Sequence, residues 1–156
     1  GEGGETMAAK TSIETREPPL ADTRLEGTFA VRLVVDRASG TRNPVRGGAI
    51  FFSFDPRCPS GPCEVRWTMS RARTEGRLDR DGAVYAASVR TPLFVRNCFG
   101  DVIDEALRVR LRVTRAAALR DEWRATKIEG TIDEVSSYGG CMTATVDWDV
   151  HGTLQS

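Results

Sequence analysis

Arg108, Arg110 and Arg112 alternate strictly with apolar residues in "ALRVRLRVTR", the most regular polar pattern in the chain. On an extended strand, that spacing lines three guanidiniums along one face, about 6.5 to 7 Å apart. The planar guanidinium fork matches an oxyanion bidentately, so the stripe suits phosphate, sulfate or an acidic glycan. The same arginines on an outer sheet face would also find carboxylates on neighbouring strands, Glu129 and Asp133 being the natural partners. His151 is the sole histidine and follows Asp147 and Asp149 on alternate positions. A base oriented by a carboxylate is hydrolase chemistry. Strand alternation, however, spreads these three groups along a surface, and no G-x-S-x-G turn supplies a serine. A hydrolase built on Asp147, Asp149 and His151 is therefore the rival reading.

Metal chemistry finds little support. "DRDGAVY" opens like an EF-hand loop, but the twelfth position counted from Asp79 is Arg90 rather than Glu, so it reads as a hairpin turn. Asp101, Asp104 and Glu105 in "GDVIDE" read as a solvated acidic loop, with calcium as the alternative. No cofactor motif is present, and none is expected to bind. Trp67, Tyr85 and Trp148 fall on apolar strand faces, where they either fill an interior or line a chamber for a small apolar ligand.

The elements that position these residues are strands almost throughout. Residues 1–23 lack hydrophobic periodicity, carry Pro18 and Pro19, and read as a flexible linker; 24–156 reads as a single domain. Period-two alternation marks "GTFAVRLVVD", "CEVRWTMS", "ALRVRLRVTR" and "CMTATVDWDVHGTL", while "GGAIFFSF", "GRLDR" and "AVYAASV" supply three more segments. "DG" at 81–82 is a hairpin signal. "EWRATKIEGTIDEV" needs a bulge, because Trp123 and Ile128 fall on opposite parities. Residues 114–122, rich in alanine, suit one helical turn or a long hairpin loop. Eight sequential strands on short connections predict an all-β, up-and-down antiparallel barrel of lipocalin or calycin type, or a curled sheet, with a β-sandwich as the alternative. "GT" at 27–28, 130–131 and 152–153 marks bends at which a sheet curls.

Four cysteines, Cys58, Cys63, Cys98 and Cys141, allow three pairings. Alternating strand directions place Cys58 and Cys63 in one loop at one end of the barrel, and Cys98 and Cys141 at the other. Strands of this length separate the ends by far more than a disulfide can span. The expected bridges are Cys58–Cys63 and Cys98–Cys141. Redox and zinc readings fit worse, since four residues separate the close pair and the other two cysteines lie far apart. Two disulfides imply an oxidising compartment, hence an extracellular or cell-surface location.

Lys plus Arg equals Asp plus Glu at 22 each, which argues against nucleic acid as a partner. No apolar run approaches a membrane span, so any membrane attachment is expected to run through a tether outside the chain. A chain opening on Gly1 without a signal peptide is expected to be a mature or excised piece. The aromatic strand leading to "FDPRCPSGPCEVRW", then "GAVY", Cys98, "IEGTIDE" and the cysteine-led last strand resembles uncharacterised secreted or surface-anchored domains of high-GC Gram-positive bacteria. That resemblance implies export and tethering, as a lipoprotein or an ectodomain, and no chemistry. The expected function is a monomeric, non-enzymatic binding or sensing domain. Its ligand is either a small apolar molecule beside Trp67, Tyr85 and Trp148, or an anionic envelope component on Arg108, Arg110 and Arg112. A structural or assembly domain of the envelope is the remaining alternative.

Overall fold

The alternation of apolar and polar residues persists along most of the described strands. The computed structural model describes residues 19–40, 47–70, 74–93, 103–137 and 143–155. Eight strands follow in chain order: β1 (Gly27–Ser39), β2 (Gly48–Pro56), β3 (Val65–Met69), β4 (Thr74–Asp81), β5 (Val84–Leu93), β6 (Ile103–Leu119), β7 (Glu122–Ser137) and β8 (Thr143–Leu154). Each pairs antiparallel with the next, and β1 closes on β8, so the sheet is a closed up-and-down barrel without a free edge.

Most apolar strand residues turn inward, with Val34, Phe51 and Val135 as exposed exceptions. Phe29, Phe52, Val65, Trp67, Leu78, Val109, Leu111 and Val150 are fully excluded from solvent. An eight-stranded barrel is just wide enough for side chains to fill it, and the aromatics do so edge-on. Phe29 meets Phe54 at 5.3 Å and Phe52 meets Trp67 at 5.4 Å between ring centroids.

The alanine-rich 114–122 segment is neither helix nor loop. β6 runs to Leu119, and a two-residue turn at Arg120 and Asp121 returns the chain as β7. Both turn residues have positive φ, 50° and 67°, as a hairpin turn that matches strand twist requires. Continuous pairing satisfies the backbone here, and alanine neither demands burial nor resists exposure. The bulge expected in β7 appears as register shifts around Arg115, opposite residues 125–128. Ala125 and Ile128, three apart in sequence, therefore both point inward.

Residues 19–25 pack against one end of the barrel. Residues 19–23, assigned to the linker by composition, lie on the barrel: Leu20–Asp22 form a single 3-10 turn and Thr23 is buried. Arg24 bridges to the hairpin of β6 and β7 by backbone hydrogen bonds to Trp123 and Ala125, and Leu25 enters the core. The Arg24 side chain is itself buried. It donates to the carbonyls of Cys58 at 2.9 Å and Gly61 at 3.0 Å, and to the Glu26 carboxylate at 3.2 Å. The loop it grips is closed by the Cys58–Cys63 disulfide. Glu122 accepts from the Gly61 amide at 3.3 Å; this hydrogen bond, helped by Arg124, holds its carboxyl below the usual range. Cys98 and Cys141 lie outside the described residues. Among the described residues no helix is long and apolar enough to cross a membrane.

Candidate functional site: a dent in the outer sheet

The outer face of β6, β7 and β8 is shaped by two glycines that point inward. Gly130 pairs with Leu111 and Val150 in the register, and Gly152 pairs with Ile128 and Val31. A Cβ on Gly130 would lie 2.0 Å from the Arg110 carbonyl oxygen, and one on Gly152 would lie 2.7 Å from Ile128 Cγ1. The requirement at both is space: with no inward side chain, the backbone approaches its neighbours closely and the sheet sags toward the core. Each sag leaves a depression outside. The one over Gly130 holds about 430 Å³ and the one over Gly152 about 470 Å³.

Outward side chains form the rims in cross-strand rows. One row runs Arg112, Glu129, His151, Arg32 across β6, β7, β8 and β1. The next runs Arg110, Thr131, Asp149. The Gly130 dent lies between and beside them, with arginines on the β6 wall and carboxylates on the β7 and β8 wall. Among the described residues, no carboxylate comes within salt-bridge distance of Arg108, Arg110 or Arg112. Glu129 instead faces His151 Nδ1 at 3.8 Å. Strand pairing sets Arg112 beside Glu129 and Arg108 beside Asp133, yet the side chains do not close into ion pairs. Ion pairs between exposed groups stabilise by only about 0 to 1 kcal/mol, so little is lost by leaving them open.

The arginine stripe is thus divided. Arg110 and Arg112 border the Gly130 dent, whereas Arg108 belongs to a separate depression of about 370 Å³ shared with Arg90 and Asp133. Asp133 is held above the ordinary carboxylate range by burial and then by its neighbour Asp147, with Arg108 opposing. Asp147, Asp149 and His151 all project from the outer face of β8, two residues apart. They do not converge, and the carboxylate nearest His151 is Glu129 on another strand.

The aromatic candidates lie inside. Trp67, Tyr85 and Trp148 are 0%, 1% and 6% exposed and belong to one apolar core. The Tyr85 hydroxyl reaches toward the Thr23 carbonyl at 3.5 Å, and burial raises its pKa. The Trp67 indole nitrogen has no partner among the described residues. Trp148 Nε1 donates to Glu134 Oε2 at 3.1 Å.

That last contact exposes a feature the composition conceals. Glu134 follows Ile132 on the inward parity of β7, and Glu105 precedes Leu107 on the inward parity of β6. Glu105 therefore belongs to a strand rather than to an acidic loop. Burial, then the hydrogen bond and charge of Glu134, push Glu105 up to about 7. Parity is the signal that locates both; the loop-like "GDVIDE" and "IDEVSS" compositions hide it. Asp101 lies outside the described residues. Among those described, no three His, Cys, Asp or Glu side chains are grouped to hold a metal ion. The chain matches no protein-family model, no curated protein and no solved structure.

Proposed function

We propose that this is an exported, tethered, non-enzymatic binding domain whose outer face holds an acidic carbohydrate of the cell envelope. One observation carries the reading: Arg110 and Arg112 border a dent of about 430 Å³, and among the described residues no carboxylate forms an ion pair with either, although Glu129 is paired beside Arg112 in the sheet. Their forks are available to a carboxylate, sulfate or phosphate. Glu129, Thr131 and Asp149 on the facing wall are hydrogen-bond acceptors for sugar hydroxyls. An anion that also carries hydroxyls fits both walls, whereas a bare anion would meet the repulsion of two carboxylates. The packed interior favours this outer face over an apolar ligand inside the barrel. The Cys58–Cys63 bridge agrees with an oxidising compartment and hence with export.

Calorimetric titration with galacturonate at low ionic strength tests the reading. Binding is expected to weaken steeply with added salt and to vanish in Arg110→Glu/Arg112→Glu. Galacturonate affinity unchanged in that variant, or no binding by the wild type, refutes it.

A further inference from the structure

The two dents are neighbours, and the pair of them carries more information than either alone. Gly130 and Gly152 sit on adjacent strands, offset by one pleat, because Ile128 pairs with Gly152 while Gly130 pairs with Val150. The depressions they create share one wall, the Glu129 and His151 side chains. Beyond that wall the second dent is bordered by Arg32 and Lys127, and its floor is kept low by Ala30 and Ala49. Taken together, the two dents present Arg32, Arg110, Arg112 and Lys127 against only Glu129 and Asp149. The first dent alone balances its charges; the pair is positive. Two residues from Ala49 on the same face of β2, Phe51 stands beside Ala30, half exposed, an apolar ring on which a sugar face can stack.

We infer that the natural ligand is a chain, an acidic polysaccharide that crosses the strands from Arg112 on β6 to Ala49 and Phe51 on β2, occupying both dents at once. This inference rests on the acidic-carbohydrate reading above. Four strand spacings separate β6 from β2 through β7, β8 and β1, about 19 Å, a length that a single sugar cannot cover. A polymer gains because the second dent is filled by an already tethered residue at high effective concentration. The shape of the face selects a polysaccharide over an anionic lipid surface. The cations rim depressions between outward side chains, where a narrow chain settles and a flat headgroup layer touches only the rims.

The test is a chain-length series of galacturonate, from the monomer to the hexamer, titrated into three proteins: wild type, Arg32→Glu/Lys127→Glu and Arg110→Glu/Arg112→Glu. All four positions are exposed, and an unchanged thermal midpoint certifies the fold of each variant. The wild type is expected to bind the hexamer about tenfold more tightly per uronate residue than the monomer. Arg32→Glu/Lys127→Glu should erase that gain, leaving the hexamer no tighter per uronate residue than the monomer. Equal affinity per residue for monomer and hexamer, with binding still lost in Arg110→Glu/Arg112→Glu, overturns the two-dent chain and leaves the single-dent reading standing. Loss of neither ligand in Arg110→Glu/Arg112→Glu overturns both. Tighter binding to phosphatidylglycerol vesicles than to the hexamer overturns the polysaccharide in favour of a lipid surface.

Discussion

Replacing Glu105 with glutamine removes one carboxyl from a pair that the barrel holds within its wall. Glu105 is pushed from an ordinary 4.5 to about 7, by burial first and by Glu134 second. A carboxyl whose folded pKa is raised favours the folded state most when protonated. Its contribution is complete below pH 4.5 and is lost as the pH climbs through 7. Each pH unit between the folded and unfolded pKa is worth about 1.4 kcal/mol, so a fully buried carboxyl would lose about 3 kcal/mol between pH 4.5 and pH 8. Glu105 is only half-buried, and solvent screening reduces this to about 1 to 2 kcal/mol. A glutamine at this position would imitate the protonated acid: its amide can donate to the Glu134 carboxylate, and it carries no charge to desolvate. Glu105→Gln should therefore match the wild type at pH 4.5 and exceed it by roughly 1 to 2 kcal/mol at pH 8. Urea midpoints followed by tryptophan fluorescence across that range measure the difference, and Trp148, bonded to Glu134, reports on the same region. Parallel pH profiles for the two proteins would refute the shared, partly buried pair.

Three further perturbations address the rest of the fold. Arg24→Ala removes the donor to the Cys58 and Gly61 carbonyls and is expected to cost about 2 to 4 kcal/mol in urea unfolding, with a loss under about 1 kcal/mol counting against a stabilising grip on that loop. Cys58→Ser/Cys63→Ser should cost about 2 kcal/mol by the entropy of so short a loop, measured the same way, without loss of the barrel's circular dichroism. Gly130→Ala must push a methyl against the β6 backbone and should cost at least about 2 kcal/mol; a neutral outcome in thermal melts would mean the sag over Gly130 is not tightly packed.

How much of the molecule is legible from residues alone depends on the range over which each signal acts. Strand alternation is local, so Val109, Leu111 and Val113 declare β6 and its inward face without help. Eight such strands on short connections fit a barrel, a curled sheet or a sandwich, and the pairing of β1 with β8 decides for the barrel. The division of the arginine stripe is not legible, because it depends on where the sheet sags, and that is set by Gly130 and Gly152 on two neighbouring strands. "GT" at 130–131 and 152–153 does mark the bends, but not the dents they leave outside. The extension of β6 through alanines 116–118 is invisible because alanine suits helix, strand and loop alike. Glu105 and Glu134 are hidden by composition although parity locates them. Burial of Arg24 is obscured by its place next to a stretch that reads as linker; it is explained by the loop closed by Cys58–Cys63 together with Glu26 and the β6–β7 hairpin.

The outer-face claim is tested most directly by a map of backbone amide shifts on titration with hexagalacturonate. Perturbations are predicted to concentrate at Gly130, Thr131, Asp149 and His151, to continue through Gly152 and Arg32, and to be absent in Arg110→Glu/Arg112→Glu. Shifts centred instead on Glu105, Glu134 and Trp148 within the barrel, or no shifts at all, would contradict the claim.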